Sequence, residues 1–442
     1  MARDLTARVQ PWKGPSLVVE ISGTDQNATA PIQAAIDGVA KRGGGTVRLI
    51  HGDYVSGTLD LRSNIRLEIS KSARLLASLD LKDYPQRIAN RPTVMDSNMG
   101  MNQSLIFAEG CRNVSVCGGG VIDGRGSRKN FPGTETVGST PGRPFLIRVL
   151  DSQGVHVKGL HLRDSPCWMQ NYLNCEDLLV EDLTVENQAN FNNDGLDIDG
   201  CRRVIVRHCH INSEDDALCF KGASQRQMEQ VLVENCRFYS SCNGLKFGTD
   251  SQGDFRQVLV RNVEVGGPST DMRSLNRRRA DSGISWETVD GNTIENVMAM
   301  DVRIVRAESP LFLRLGDRGR TRPEAARPVP GKLRRIVFEH VTGDDNGSRG
   351  SYFTGLEDAP IEDVAIRDLR LGVSATHEPL LAEAAVPEWR GEYPDAHMIG
   401  KVAPAYGLWA RDVNGLTLEN VSFRLRSPDA RPAVIAKGTC VR

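Results

Sequence analysis

Aromatic residues are scarce in this chain, and long apolar runs are missing. Phe, Trp and Tyr make up 5% of the 442 residues. No stretch reaches the roughly 18 consecutive apolar residues that mark a membrane helix, and the start, MARDLTARVQPW, lacks the apolar core of a signal peptide. We therefore expect a protein that does not span a membrane. It is expected to be cytoplasmic, or extracellular or periplasmic if a signal peptide has been removed.

An excess of charge of either sign is also missing. The net charge is −1, although 25% of the residues are charged. A balanced chain has no electrostatic reason to bind nucleic acid or an anionic membrane, so we expect neither as a partner. Glycine, in contrast, is abundant at 43 residues. Abundant glycine with few aromatic residues is typical of a fold with many turns and short strands.

One short pattern recurs along most of the chain. An apolar residue is followed two places later by Asn, Asp, Gly, Arg or Gln, and then by two short alternating strands separated by a polar pair. Examples are CRNVSVCGGGVIDG from Cys111, CEDLLVEDLTVEN from Cys175, CRRVIVRHCHINS from Cys201 and IENVMAMDVRIVR from Ile294. A period-2 alternation repeated in this way predicts strands rather than helices.

The spacing of the repeat predicts the architecture. The first apolar slot of the first strand falls at Val155, Leu178, Val204, Val231 and Val258, at steps of 23 to 27 residues. Such a period indicates a solenoid, because strands this short bury a face only by stacking coil on coil. The helical half of a leucine-rich repeat is absent. We predict an all-β fold, a single-stranded right-handed parallel β-helix.

The first hundred residues differ from the repeat. The segment TAPIQAAIDGVAK has helical spacing, with Thr29 as the expected N-cap, and predicts a helix that caps the open end of the solenoid. No linker is visible, so we predict one domain over 1–442, with the cap and first coils in about 1–100 and repeat coils in about 101–442. Residues 317–332 and 373–400 are expected to be long loops lining a cleft.

The cysteines follow the repeat rather than a disulfide pattern. Cys111, Cys175 and Cys201 occupy the same inward slot, where a free thiol acts as a small apolar side chain. We expect most cysteines to be free. A pair between Cys236 and Cys242 is the one disulfide that the spacing leaves open.

Two stretches concentrate acids, FNNDGLDIDG (191–200) and SEDDALCF (213–220). Equivalent residues on stacked coils lie about 4.8 Å apart, which would bring Asp194 beside Asp215 and Asp216. Three carboxylates this close cannot all ionise, so the pKa of one should rise. A raised acid beside an ionised one suits glycoside hydrolysis.

Other uses of acids remain open at this point. For Asp197 and Asp199 we favour a role in turns, where carboxylates accept backbone N–H groups. A calcium site built from the other three carboxylates is a further alternative.

The sequence resembles glycoside hydrolase family 28, the polygalacturonases and related pectin-degrading enzymes. The likeness rests on AIDGVAKRGGGTVRL and CRNVSVCGGGVIDGRG, on Asn192-Asn193-Asp194-Gly195, similar to the family's Asn-Thr-Asp-Gly, and on Glu214-Asp215-Asp216, similar to its Gly-Asp-Asp. The resemblance implies an inverting mechanism. Asp215 would be the general acid, and Asp194 and Asp216 would be the bases that activate water.

Three positions depart from the family pattern. CNGLKFG (242–248) places Asn243 where the family has histidine, and SGISWETVDG (282–291) places Ser285 and Glu287 where it has arginine and lysine. Those cations hold a galacturonate carboxylate in polygalacturonases. Losing them and gaining Glu287 disfavours a carboxylate at that position.

A wider set of residues is expected to bind the substrate through hydrogen bonds, charge or ring stacking. The alternatives are core packing for the two tryptophans, an ion pair with Glu287 for Arg314, and solvated surface for Lys221 and Lys246. The set is Trp168, Gln170, Asn171, Asn192, Lys221, Asn243, Lys246, Trp286, Glu287, Arg314 and Arg318.

The predicted function is therefore that of an inverting glycoside hydrolase. It would cleave α-glycosidic bonds in a pectic or related polysaccharide or oligosaccharide other than plain polygalacturonate, with no cofactor and no metal. A non-catalytic carbohydrate-binding β-helix, and a β-helix polysaccharide lyase or epimerase, are the alternatives. Long loops at the cleft would favour exo-action, because they can close one end of a groove.

Overall fold

The computed structural model describes residues 2–91, 93, 102–133, 142–321, 324–379, 386–437 and 440–441, and the side chains of all of these except 2–3, 24–26 and 440–441. The chain forms two compact units. The first comprises Met1–Asp215 with Glu229–Leu232, and the second Asp216–Met228 with Val233–Arg442. The expectation of a single domain over 1–442 stays a prediction.

The first unit consists of short parallel strands preceded and interrupted by small helices. Its helices are α1 (Ala2–Arg8) and α2 (Thr29–Lys41), with a 3-10 helix at Leu81–Asp83. Its strands are β1 (Val18–Ile21), β2 (Thr24–Asn27), β3 (Gly45–Leu49), β4 (Gly52–Ser56), β5 (Leu59–Asp60), β6 (Ile65–Ile69), β7 (Ala73–Ala77), β8 (Ser104–Glu109), β9 (Arg112–Gly118), β10 (Val121–Asp123), β11 (Phe145–Leu150), β12 (Gln153–Lys158), β13 (His161–Arg163), β14 (Gln170–Leu173), β15 (Glu176–Glu181), β16 (Thr184–Asn187), β17 (Leu196–Asp199), β18 (Arg202–Arg207) and β19 (His210–Ser213).

Each coil of this unit contributes three strands, so that β12–β14 form one coil and β15–β17 the next. Val155 pairs with Leu178, which pairs with Val204, and all three side chains are buried inside the coils. The two strands predicted in each repeat segment are present, and the third strand of the coil was not predicted. The third strands, such as β14 and β17, carry polar residues at alternate positions, and this weakens their apolar pattern.

The backbone conformation explains why a polar residue recurs in the repeat. It lies one position before the apolar slot of the first strand, and its φ is left-handed in coil after coil. Asn, Asp and Gly tolerate this conformation best, which explains their recurrence there. The positions are Asn113, Gly154, Asp177, Arg203, Gln230, Gln257, Asn296, Arg335, Asp363 and Gly415.

In the second unit the coils consist of one long and one short strand. The long strands are β21 (Met228–Ser240), β23 (Phe255–Gly266), β25 (Thr293–Val305), β27 (Lys332–Asn346), β29 (Ile361–Val373) and β31 (Val413–Leu425), with a final short β33 (Cys440–Val441). The short strands are β20 (Leu218–Lys221), β22 (Asn243–Phe247), β24 (Ala280–Thr288), β26 (Ala307–Leu315), β28 (Ser351–Thr354), β30 (Leu408–Arg411) and β32 (Val434–Lys437).

The short strands of the second unit form one parallel sheet in the order β20 to β32. Its inward residues include Phe247, which pairs with Trp286. On its outer face one row runs through Lys246, Ser285, Phe312, Tyr352 and Trp409, each beside the next. This row begins polar and becomes apolar, and it positions the site described below.

The predicted capping helix is present as α2, which buries Ile32, Ile36 and Val39 against the first strands. The prediction that Thr29 is its N-cap is wrong, because Thr29 is the first residue of the helix. The carboxamide oxygen of Asn27 accepts the Thr29 N–H at 2.9 Å, so the capping bond comes from two positions earlier. Neither of the helices in the described residues is long and apolar enough to cross a membrane.

The expectation of free cysteines is confirmed for the described residues. Cys111, Cys175 and Cys201 are buried thiols, and no disulfide joins Cys236 to Cys242 in the described residues, so the pair that the spacing left open does not form. Cys201 Sγ accepts the Cys175 N–H at 3.2 Å, as expected for neighbours in one inward stack.

Candidate active site

Asp194 belongs to the first unit and lies in the loop between β16 and β17. The preceding residue, Asn193, shapes this loop with four hydrogen bonds. Its Oδ1 accepts the N–H groups of Ala189 and Asn190 at 2.9 and 2.5 Å, and its Nδ2 donates to the carbonyls of Ser165 and Cys167 at 2.9 Å. The loop is thereby fixed from both sides, and Asp194 is held in place with only 2% of its surface exposed.

The backbone of Asp194 is bonded as firmly as the loop around it. Its carbonyl accepts the Met169 N–H at 2.9 Å and the Asn187 side-chain amide at 2.8 Å. These bonds come from the preceding coil and from the end of β16. Asp194 is therefore fixed on rigid elements, as a catalytic carboxylate needs to be.

Asp215 is the last residue of the first segment of this unit and is partly exposed. Its carbonyl accepts the Ser213 hydroxyl at 2.6 Å, and the Ser213 carbonyl in turn accepts the Gln188 amide at 2.5 Å. Asp215 thus follows a braced strand end with its side chain in a more open position than that of Asp194.

Asp197 and Asp199 lie in one strand. Both are buried within strand β17, with Asp197 beside Asn171 of β14, so the turn role expected for them is wrong for Asp197. The strand places Asp197 on the outer face, because its neighbours Leu196 and Ile198 point inward and are fully buried.

Asp216, in the second unit, is held on both carboxylate oxygens. Asn243 donates from Nδ2 to Oδ1 at 2.7 Å, and the Lys246 ammonium lies 3.1 Å from Oδ2. Asp216 is 2% exposed and Lys246 4%, so little water screens the pair. Burial alone would lower the pKa of Lys246, but the charge of Asp216 outweighs it and raises the pKa well above its usual value. Lys246 is therefore a charged partner of the Asp216 carboxylate.

Glu287 is a buried acid on the outer face of β24, two residues after Ser285. The Ser285 hydroxyl donates to Oε1, whereas among the described residues Oε2 has no hydrogen-bond partner. Burial raises the pKa of Glu287 to about 8, against the opposing charge of Lys246. Glu287 therefore carries a proton at neutral pH. The two positions that hold cations in the resembled family are both neutral here.

Several predicted binding residues are engaged inside the protein. Trp286 is fully buried and stacks on Phe338 with ring centroids 4.9 Å apart, so core packing, not sugar stacking, is its role. Gln170 is also fully buried and exchanges hydrogen bonds with Gly195 and Tyr172. A side chain without exposed surface cannot contact a substrate, and these two predictions need correction.

Four predicted residues lie at positions that leave a binding role untested. Trp168 is 5% exposed and packs edge to face on Phe145 at 5.5 Å. Asn171 and Lys221 are 7% and 6% exposed. Asn192 is less buried, and its Oδ1 accepts a bond from Arg143 at 2.8 Å.

Arg318 is the centre of a buried ion-pair network rather than a free cation. It lies 2.9 Å from Asp250 and 2.5 Å from Asp290, and these two acids balance its charge. Its pKa is raised above the usual value because, although burial opposes it, the hydrogen bonds to Asp290 and the charges of both acids favour the charged form. A substrate carboxylate would have to compete with both acids.

The residues from Val386 to Ala405, here called the strap, cover the outer face of the short-strand sheet. Val386, Ala396 and Ile399 pack with Phe312 and Tyr352 of the outer row. The prediction of a long loop over 373–400 thus holds for the described part of the strap, and its packing was not foreseen.

Arginines from the coils bind the backbone of the strap. Arg314 donates to the carbonyls of Glu388 and Trp389 at 2.9 and 2.7 Å, and Arg411 to those of Val386 and Pro387 at 2.6 and 2.8 Å. Arg349 binds the Gly400 carbonyl in the same way. Arg314 therefore anchors the strap. It does not form the predicted ion pair with Glu287, and its side chain is not open to a ligand.

A second anchor of the strap is polar. His397 lies between Asp281 of β24 and Asp395, at 3.1 and 2.6 Å, and Arg277 also contacts Asp281. Burial raises the pKa of Asp281 to about 7, against the opposing charges of Arg277 and His397. These contacts fix the part of the strap that carries Tyr393.

Tyr393 was missed in the sequence and reaches the Asp216 pair. Its hydroxyl lies 3.5 Å from Lys246 Nζ, and its ring centroid lies 5.5 Å from the guanidinium of Arg318. The repeat does not connect residue 393 with residue 246. The one signal in the sequence was an aromatic residue in a loop of a chain that has few aromatic residues.

The parallel coils place this chain among the right-handed parallel β-helix proteins. It shares that fold with a hyperthermoactive exopolygalacturonase of Thermotoga maritima, with a TM-score of 0.70, 18% identity and 95% of each chain covered. The family model of glycosyl hydrolases family 28 matches residues 61–380. The chain belongs to this family.

Two relatives of known sequence are polygalacturonases by name. A probable polygalacturonase of Vitis vinifera is 27% identical over 216 residues, which cover 46% of this chain and 43% of the relative. Exopolygalacturonase X-1 of Emericella nidulans is 28% identical over 219 residues, which cover 48% of each. The chain thus spans less than half of the length of these relatives.

Proposed function

We propose that this chain hydrolyses α-glycosidic bonds in a pectic polysaccharide or oligosaccharide with inversion of the anomeric centre. Asp215 is the general acid, and Asp194 and Asp216 are the bases that activate water. The observation that carries the proposal is the environment of Asp216. A base that takes a proton from water has to be held in position, and the contacts from Asn243 and Lys246 fix both carboxylate oxygens of Asp216.

The acid role suits Asp215 for the opposite reason. Of the three carboxylates it is the partly exposed one, so substrate and solvent reach it most readily. A general acid has to regain its proton from water after each turnover. Asp194 and Asp216 are each only 2% exposed.

The substrate is proposed to differ from plain polygalacturonate. Ser285 and Glu287 are bonded to each other, and Glu287 holds a proton at neutral pH. The nearby cations Lys246 and Arg318 are already balanced by Asp216, Asp250 and Asp290. This arrangement supports a neutral sugar, or a sugar whose acid lies elsewhere, at the position where polygalacturonases bind a carboxylate.

The strap supports action at a chain end. It fills the outer face over Phe312, Tyr352 and Trp409, next to the row position of Lys246. A groove that is filled on one side of its reactive residues admits the end of a sugar chain more readily than its middle. We therefore propose exo-action.

Lyase or epimerase chemistry fits the same residues less well. Such enzymes need a base that removes a ring proton, and a lysine can do this only as the neutral amine. The raised pKa of Lys246 keeps it charged. Hydrolysis is therefore the better account.

The proposal is tested with wild type and Asp215→Asn on homogalacturonan, rhamnogalacturonan and neutral α-linked galactose oligosaccharides, following the product anomers by NMR. We expect an inverted product from one of the last two with wild type, and at most a trace with Asp215→Asn. A retained anomer, an unsaturated product or full activity of Asp215→Asn would contradict the assigned roles.

A further inference from the structure

Tyr393 stands apart from the rest of the strap in its exposure. Half of its surface, 50%, is exposed, whereas Val386, Ala396 and Ile399 are at most 4% exposed. These three side chains hold the strap on the sheet, and Tyr393 does not take part in that packing. Its exposed position therefore has no structural reason within the strap.

The ring is held by charges that are themselves fixed. Lys246 Nζ lies 5.7 Å and the Arg318 guanidinium 5.5 Å from the ring centroid, both within the range of cation–π attraction. Lys246 is paired with Asp216, and Arg318 with Asp290. The ring is thus pre-oriented next to the Lys246–Asp216 pair, with surface still open to solvent.

Neither the family match nor the coil repeat accounts for this residue. The family model ends at residue 380, before the strap begins. The strap also lacks the repeat pattern and contains no regular strand between 386 and 405. Tyr393 therefore lies outside both the matched range and the repeat.

The chemistry of the position selects the class of ligand. Both cations that contact the ring are paired with acids, so neither is an unpaired charge for an anion. The half-exposed ring of Tyr393 offers apolar surface with a polar hydroxyl at its edge. A pyranose ring matches this, because one of its faces presents C–H groups and its edge presents hydroxyls. Apolar walls with few polar groups are typical of such sites.

We propose that Tyr393 is a substrate-binding residue that stacks on the C–H face of the sugar ring next to the bond cleaved at Asp216. This inference rests on the proposed function of the site. It adds that the strap determines specificity, since a sugar with a bulky branch on its C–H face cannot stack on Tyr393.

The test separates binding from turnover. Tyr393→Ala and Tyr393→Phe are made in the Asp215→Asn background, and binding of a tetragalacturonide and a rhamnogalacturonan oligosaccharide of the same length is measured by calorimetry. The same two changes in the otherwise wild-type chain give kcat and KM. Val329→Ala, at an exposed position of 77%, is the control for a truncated surface side chain.

We expect Tyr393→Ala to weaken binding of the preferred probe by roughly tenfold and to raise KM by a similar factor, because the stacking area is lost. Tyr393→Phe should stay close to the parent, and hydrogen exchange of the strap should be unchanged in both. A purely structural role would instead show as faster exchange.

The outcomes distinguish this inference from the proposed function. Inverting hydrolysis by wild type with unchanged binding in Tyr393→Ala overturns the stacking role alone. Equal losses in Tyr393→Phe and Tyr393→Ala also overturn it, because the hydroxyl and not the ring would then be the contact. Absence of both binding and hydrolysis in the parent proteins overturns both proposals.

Discussion

The buried acid Glu287 predicts an unusual dependence of stability on pH. Its pKa is about 8 in the folded protein and 4.5 as the ordinary value. Because the folded pKa is the higher one, the folded protein binds more protons than the unfolded chain between these two values. The free energy of unfolding must therefore fall as pH rises through this window.

The size of the effect follows from the shift. Each pH unit in the window costs about 1.4 kcal/mol, so the three and a half units from 4.5 to 8 amount to roughly 5 kcal/mol. The change Glu287→Gln replaces the protonated acid by a neutral side chain of nearly the same shape, which does not titrate. The stability of the variant should therefore not fall with Glu287 as pH rises. Its advantage over wild type should be largest at pH 8.

The assay is urea denaturation of wild type and Glu287→Gln at pH 5, 6, 7 and 8, followed by fluorescence and circular dichroism. Asp281, whose pKa is about 7, adds a similar slope to both proteins, so the difference between them isolates Glu287. Asp281→Asn serves as the matched control for that second slope. Parallel pH profiles of wild type and Glu287→Gln would refute the reasoning.

Three further predictions concern the site and its supports. Asn243→Ala removes the hydrogen bond to Asp216 and should lower kcat by about 10- to 100-fold in the hydrolysis assay, as expected for a bond to a charged group; unchanged kcat would exclude this contact from catalysis. Trp286→Ala leaves a core cavity and should lower the free energy of unfolding by about 3–5 kcal/mol, measured in urea, whereas a surface ring would cost little. Arg314→Leu frees two strap carbonyls and should speed amide exchange in the strap alone; equal protection in both proteins would show that Arg314 is dispensable there.

The repeat was predictable because stacking imposes the same demands on every coil. Each coil needs an apolar residue at the slot of Val204 and a residue that tolerates a left-handed φ just before it. Both requirements produce a recurring pattern in the sequence. The pattern fails where the demand weakens. The third strands of the first unit carry acids such as Asp197 on their outer face. They have too few apolar positions for the sequence to predict a strand there.

The site was predictable only in part. The acids and Asn243 stand in recognisable motifs, but the partners of Asp216 depend on which residues face outward on the neighbouring strand. The burial of Trp286 could have been predicted, since the alternation of β24 places it on the inner face with Ile284. The position of Tyr393 could not, because the strap packs on three coils that are distant in sequence.

The way in which the strap is attached has a consequence for how such enzymes can diversify. Arg314, Arg349 and Arg411 bind it through backbone carbonyls, which every amino acid supplies, and only a few small apolar side chains are needed beneath it. Its outward positions are therefore free to change while its path over the sheet persists. The strap acts as an exchangeable cassette, and redesign of residue 393 and its neighbours offers a route to new sugar preferences on an unaltered catalytic scaffold.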